Sequence, residues 1–164
     1  MGDAAQGYLG SGLLRSTDAG QTWVRVSNSS LPAPGTISRI SVDPADPNRV
    51  YVSQYSAKSG GSIFSSGFFV STDGGVSFTK TWSGLTRDLV QHPSNPDILY
   101  LAASRFDGGS PNNGGVWKSV DRGATWNRIF TVSFSSTTNI KIAVTAAAAN
   151  SVYVLSASGS SAAV

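Results

Sequence analysis

The sequence predicts an all-β fold of four-stranded antiparallel sheets, the blades of a β-propeller, present as a partial ring or one completed by self-association. Three observations predict it. A strand-turn-strand element built on Ser-x-Asp-x-Gly occurs three times. A second strand-turn-strand element, carrying a shared Tyr, also occurs three times and alternates with the first. One copy of each makes four strands in about 50 residues, the size of a propeller blade. No segment shows sustained helical periodicity.

The first element reads Gly12-Leu13-Leu14-Arg15-Ser16-Thr17-Asp18-Ala19-Gly20-Gln21-Thr22-Trp23. It returns as Gly67-Phe68-Phe69-Val70-Ser71-Thr72-Asp73-Gly74-Gly75-Val76-Ser77-Phe78, and again as Gly115-Val116-Trp117-Lys118-Ser119-Val120-Asp121-Arg122-Gly123-Ala124-Thr125-Trp126. An apolar pair enters a polar turn, and the chain leaves at an aromatic residue, which is the pattern of a hairpin. Gly20, Gly75 and Gly123 suit a turn position with positive φ. Ser16, Ser71 and Ser119 belong to the same turns. Asp18, Asp73 and Asp121 can accept hydrogen bonds from backbone N–H groups of their own turns, so they are expected to form turns rather than to catalyse. Trp23, Phe78 and Trp126 share one register and are expected to be repeated core anchors.

In chain order, residues 7–27 are expected to be an outer half-blade: a strand over 7–15, the first turn, and a strand over 21–27. Asn28 to Gly35 is a loop with two prolines. Asn28-Ser29-Ser30 also fits the glycosylation sequon. The second element follows as Ile40-Ser41-Val42-Asp43-Pro44-Ala45-Asp46-Pro47-Asn48-Arg49-Val50-Tyr51-Val52. Its later copies run from Leu89 to Leu101 and from Ile142 to Val154, and they align Tyr51, Tyr100 and Tyr153. The last copy has lost both prolines. A full blade is expected over 37–82, with strands near 37–43, 49–56, 66–72 and 76–82. A second is expected over 85–131. An inner half-blade spans 138–157, and 158–164 is expected to be a frayed tail. Both faces of a blade pack against neighbours, so runs such as Phe68-Phe69-Val70 need not alternate with polar residues.

Composition narrows the function. Apolar residues are 40% of the 164, enough for a core, and charged residues only 13%, as in turn-rich β proteins. The net charge of +3 comes from scattered Lys and Arg without a basic run, which argues against nucleic-acid binding. No apolar stretch approaches the roughly 18 residues of a membrane helix. Met1 to Gln6 has neither the basic nor the apolar region of a signal peptide, so none is expected in this chain. The absence of Cys removes disulfides and thiol catalysis. No cofactor and no metal are expected. Asp43-Pro44-Ala45-Asp46-Pro47-Asn48 offers oxygens but lacks the carboxylate density of a Ca²⁺ loop.

The Ser-x-Asp-x-Gly element resembles the Asp-box, or BNR repeat, of sialidases, sortilin-like receptors and xyloglucan-degrading glycoside hydrolases. The resemblance covers the repeats, hence most of the chain. The phrases from Val42 to Val52 and from Gly114 to Ser119 are similar to those of xyloglucanase-type enzymes. It implies that each box closes the outer hairpin of a blade, away from any substrate site. It also implies a secreted or cell-surface protein that handles carbohydrate or protein ligands. A hydrolase of this type needs two carboxylates facing the scissile bond, and no pair can be assigned among the nine acidic residues. The arginine cluster and Tyr–acid pair of a sialidase cannot be located. The expectation is therefore a non-catalytic binding or assembly module for glycan or protein, within a larger extracellular protein. The alternative is a fragment of a xyloglucanase-like hydrolase acting on β-glucan.

Two groups are candidate ligand contacts. Arg39, Asp88 and Lys141 occupy equivalent places on three successive inner strands. They could line a channel, or form an ion-pair row between neighbouring strands. Arg105, Phe106, Asn112 and Asn113 fall in the longest loop inside a blade, and an aromatic platform with planar polar groups would suit a sugar. Gly, Ser, Pro and Asn are also generic loop formers. His92, the single histidine, takes the place of Asp43 and is expected to cap a turn. Finally, two blades and two halves fall short of the four to eight that close a propeller. Either the remaining blades belong to a longer parent chain, the preferred reading because repeat arrays are easily divided between units, or a homodimer closes a six-bladed ring.

Overall fold

The structure is a computed structural model describing residues 13–26, 31, 36–55, 66–106, 114–132 and 139–157, with the backbone alone at 105, 106 and 157. Eleven strands run through the described residues: β1 Leu13–Arg15, β2 Val24–Val26, β3 Thr36–Asp43, β4 Asp46–Tyr55, β5 Gly67–Ser71, β6 Thr79–Gln91, β7 Leu99–Phe106, β8 Gly115–Ser119, β9 Asn127–Thr131, β10 Asn139–Val144 and β11 Val152–Ala157. All pairings are antiparallel. Strands β3, β4, β5 and the first part of β6 form one four-stranded sheet; the rest of β6 forms a second with β7, β8 and β9. The chain passes between them at Ser83, paired with Gly67, and Gly84, paired with Phe106. Two-stranded sheets flank them, β1 with β2 and β10 with β11. Residues 158–164, the expected tail, lie outside the described residues.

The core lies between the sheets rather than inside one. Successive side chains on a strand point to opposite faces, and here both faces are covered. Tyr51 and Phe68 join Leu89, Leu99 and Leu101 between the two four-stranded sheets. Their neighbours Val52 and Phe69 turn the other way, toward Leu13 and Phe78. Tyr100 and Val116 face Ile140 and Ile142 of the last hairpin. Each large apolar side chain so buried contributes about 1.5–3 kcal/mol. This two-sided burial accounts for the unbroken apolar run of Phe68, Phe69 and Val70.

The hairpin turns need two consecutive residues at positive φ: Ala19 and Gly20 (57° and 90°), Gly74 and Gly75 (71° and 88°), Arg122 and Gly123 (58° and 85°). Glycine at the second place has a further reason. A Cβ on Gly123 would lie 2.6 Å from the Phe68 ring of the preceding sheet. The glycine that opens the element is explained by close approach, since a Cβ on Gly115 would lie 1.9 Å from the Phe130 carbonyl oxygen.

One expectation is corrected. Phe78 is buried and Trp126 packs edge-on against Phe68 at 5.0 Å between ring centroids, but Trp23 is 61% exposed. Phe78 and Trp126 each pack on the preceding sheet, and among the described residues Trp23 has no preceding sheet to pack on. The third proline turn, which lost its prolines, forms a short 3-10 turn over Ala146–Ala148, with Thr145 Oγ1 accepting from Ala147 N.

Candidate functional site

The hairpin turns and the proline turns gather at one end of the sheets, and their polar groups serve the backbone. In each hairpin the Ser hydroxyl donates to the Asp (2.7 Å) and accepts from the second glycine N–H (2.8 Å). The same Asp oxygen accepts from the N–H of Thr22, Ser77 or Thr125 at 2.9, 2.8 and 2.8 Å. The other oxygen accepts from the hydroxyl of that residue. Hydrogen bonds from Thr22 and Ser77, above all from their hydroxyls, hold Asp18 and Asp73 at about 2, below the ordinary 3.8. At Asp121 burial opposes ionisation, but the bonds from Thr125 and Ser119 outweigh it and the pKa is lowered.

The proline turns are capped in a matching way. Asp43 Oδ1 accepts from Ala45 N at 2.9 Å, and His92 Nδ1 accepts from Asn95 N at 3.1 Å and Ser94 N at 3.3 Å. Asp46 Oδ1 accepts from Asn48 N at 3.0 Å. Asp43 also receives the Tyr51 hydroxyl at 3.3 Å and Arg122 Nη1 at 3.4 Å, while Arg122 Nε reaches Asp97 at 2.6 Å. One guanidinium thus ties the second sheet's hairpin to proline turns of both sheets. The bond to Asp97 raises the Arg122 pKa against partial burial, and burial followed by the charge of Asp43 raises that of Tyr51.

Arg39, Asp88 and Lys141 do not act as a set. Asp88 is buried, and its carboxylate accepts from Leu89 N at 3.0 Å and from Ile142 N of β10 at 3.1 Å. Arg39 and Lys141 are exposed, and among the described residues no ion pair joins the three. Asp88 is a pin between neighbouring sheets, a role that two opposed backbone N–H groups explain without a ligand. Hence all seven described acidic residues, Asp18, Asp43, Asp46, Asp73, Asp88, Asp97 and Asp121, are held by turn, backbone or ion-pair contacts. Asp3 and Asp107 lie outside the described residues.

The opposite end, where β4 and β7 end, is chemically different. Tyr55 closes β4 there, half-buried, and the Arg87 guanidinium stacks 4.0 Å from its ring centroid. Arg87 Nε donates to Ser104 Oγ at 3.1 Å, so the planar group is held on two sides. Register shifts in β6 and β7 between Leu85 and Asp88 aim Arg87 toward the first sheet. The sequence singled out Asp88 but not its neighbour, because the shift that aims Arg87 leaves no residue signature. Arg105 and Phe106 are the last two residues of β7, paired with Leu85 and Gly84, rather than loop residues. Asn112 and Asn113 lie outside the described residues. A cleft of about 370 Å³ beside the first hairpin is lined by Arg15, Thr17, Thr22, Val24, Arg25, Val26, Gly75 and Val76, with no carboxylate. No cluster suited to a metal ion occurs among the described residues.

No protein-family model matches the chain. It is similar to the xyloglucanase of Hypocrea jecorina (strain QM6a), 31% identical over 144 residues, covering 71% of this chain and 16% of that protein. Its fold is similar to the crystal structure of an ancestral GH74 enzyme, with a TM-score of 0.63 and 20% identity over 87% of this chain and 18% of that one. It is also similar to the GH74 enzyme of Niastella koreensis, with a TM-score of 0.54 and 29% identity over 75% of this chain and 19% of that one. The chain thus spans less than a fifth of the length of each relative. It is a β-propeller portion similar to part of GH74 enzymes.

Proposed function

We propose that this chain is a non-catalytic binding portion of a larger extracellular β-propeller protein, presenting the Tyr55–Arg87 end to a glycan of β-glucan type or to a protein. The observation that carries the reading is that every described carboxylate is held in a turn, backbone or ion-pair contact of the fold, including Asp43 and Asp97, which share the Arg122 guanidinium, so that none stands apart as the acid–base pair glycoside hydrolysis needs. A half-buried Tyr with a fixed guanidinium and a hydroxyl beside it is the kind of convergent polar–aromatic surface that binding sites use. Extracellular placement is supported by the kind of relatives matched, and no described helix is long and apolar enough to cross a membrane.

The second reading is a fragment of a β-glucan hydrolase, favoured by the likeness to a xyloglucanase over 71% of the chain. Its acid and base would then come from outside the described residues. Calorimetric titration with xyloglucan oligosaccharides, with reducing-sugar release measured in parallel, separates the readings. The first expects binding without release, and a loss of about tenfold in affinity, roughly 1.4 kcal/mol, in Tyr55→Ala. Sugar release by the unaltered chain would overturn it in favour of the second.

A further inference from the structure

Where the two four-stranded sheets meet at the turn end, one charged group has no partner, and we propose that it marks a site for a small oxyanion, a phosphate or sulfate group. The group is the guanidinium of Arg49, half-buried in β4 just before Val50 pairs with Ser71. It makes no hydrogen bond or ion pair among the described residues, and its Nε is closed off from solvent. A buried donor without an acceptor bears its desolvation cost uncompensated. An anionic oxygen is the acceptor that a guanidinium holds best, through two parallel N–H bonds.

Arg49 lines a cleft of about 190 Å³ between the second and third hairpins. Arg122 reaches the same cleft from the other sheet. Its Nη1 and Nε are taken by Asp43 and Asp97, which leaves Nη2 outside those pairs. Thr72 and Thr79 add hydroxyls to the lining. Asp121 also lines the cleft, but both its oxygens are bonded within its own hairpin by Ser119 and Thr125. The repeat shows that the blades do not require these charges. Arg49 falls where the second copy has Ile98, which packs against the cluster of Tyr100, Val116 and Ile140. Arg122 falls where the other hairpins have Ala19 and Gly74. Both arginines are thus particular to the interface between the two full sheets, and neither end of the chain takes part in it. The cleft lies at the opposite end from Tyr55 and Arg87, so the proposal does not depend on the glycan reading.

An arginine Nε–H gives its own magnetic resonance signal, so the unpartnered group reports directly. The unaltered chain is titrated with inorganic phosphate and with methyl phosphate, at an ionic strength held constant with chloride. One Nε–H signal, assigned to Arg49 by its absence from Arg49→Lys, is expected to shift and saturate. The compound that saturates it at the lower concentration shows whether a free ion or an ester is taken, and either supports the site. Arg49→Ile places there the residue of the second copy, so the packing of the blade is kept. Its phosphate affinity, measured by calorimetry, is expected to fall about tenfold or more. No shift at Arg49, an equal shift with chloride alone, or unchanged affinity in Arg49→Ile would overturn the proposal.

Discussion

At Asp73 one carboxylate oxygen accepts from the Ser71 hydroxyl and the Ser77 backbone N–H, and the other accepts from the Ser77 hydroxyl. These bonds favour the ionised form, so the folded pKa, about 2, lies below the ordinary 3.8. A carboxylate depressed in this way stabilises the fold above its unfolded pKa and loses that contribution as pH falls through the folded value. Thermal midpoints should therefore drop between about pH 4 and pH 2. In Asp73→Asn the midpoint should be lower at neutral pH and the acid drop shallower. An unchanged acid drop in that variant would contradict the account. The turns were legible at this scale because their bonds span only two to four residues, within reach of a local motif. The left-handed residue after each Asp was not, because Ala19 and Arg122 carry no sign of it.

Among elements, the decisive contacts join one sheet to the next. The alternation of Tyr51 and Val52, or Phe68 and Phe69, between two interfaces follows from strand geometry, so the two-sided burial of the blade strands could be read from their apolar runs. The pin made by Asp88 could not. Its partner, Ile142 N, lies in another sheet, and the sequence shows only a charge on an apolar strand. Replacing Asp88 with Ala leaves two buried N–H groups without their acceptor, at about 1–3 kcal/mol each. Hydrogen exchange should then accelerate at Ile142, and the β10–β11 hairpin should loosen before the central sheets. Uniform loss of protection across all sheets would contradict a local pin. The stacking of Arg87 on Tyr55 was hidden for a similar reason, since it depends on register shifts that periodicity does not record.

On the scale of the whole molecule, an arc of blades has two open faces. The repeats made the arc legible, and the count of strands made its incompleteness legible. The exposure of Trp23, foreseen as a core anchor, marks the face where a preceding blade would lie, and Tyr153 with Leu155 marks the other. Burial of such apolar surface is the main force that holds one blade against the next. The most direct measurement of the proposed role is calorimetric titration of the unaltered chain with xyloglucan oligosaccharides, with reducing-sugar release followed in parallel. A non-catalytic binding portion predicts binding heat without sugar release. Sugar release by the unaltered chain, or no binding heat, would contradict it.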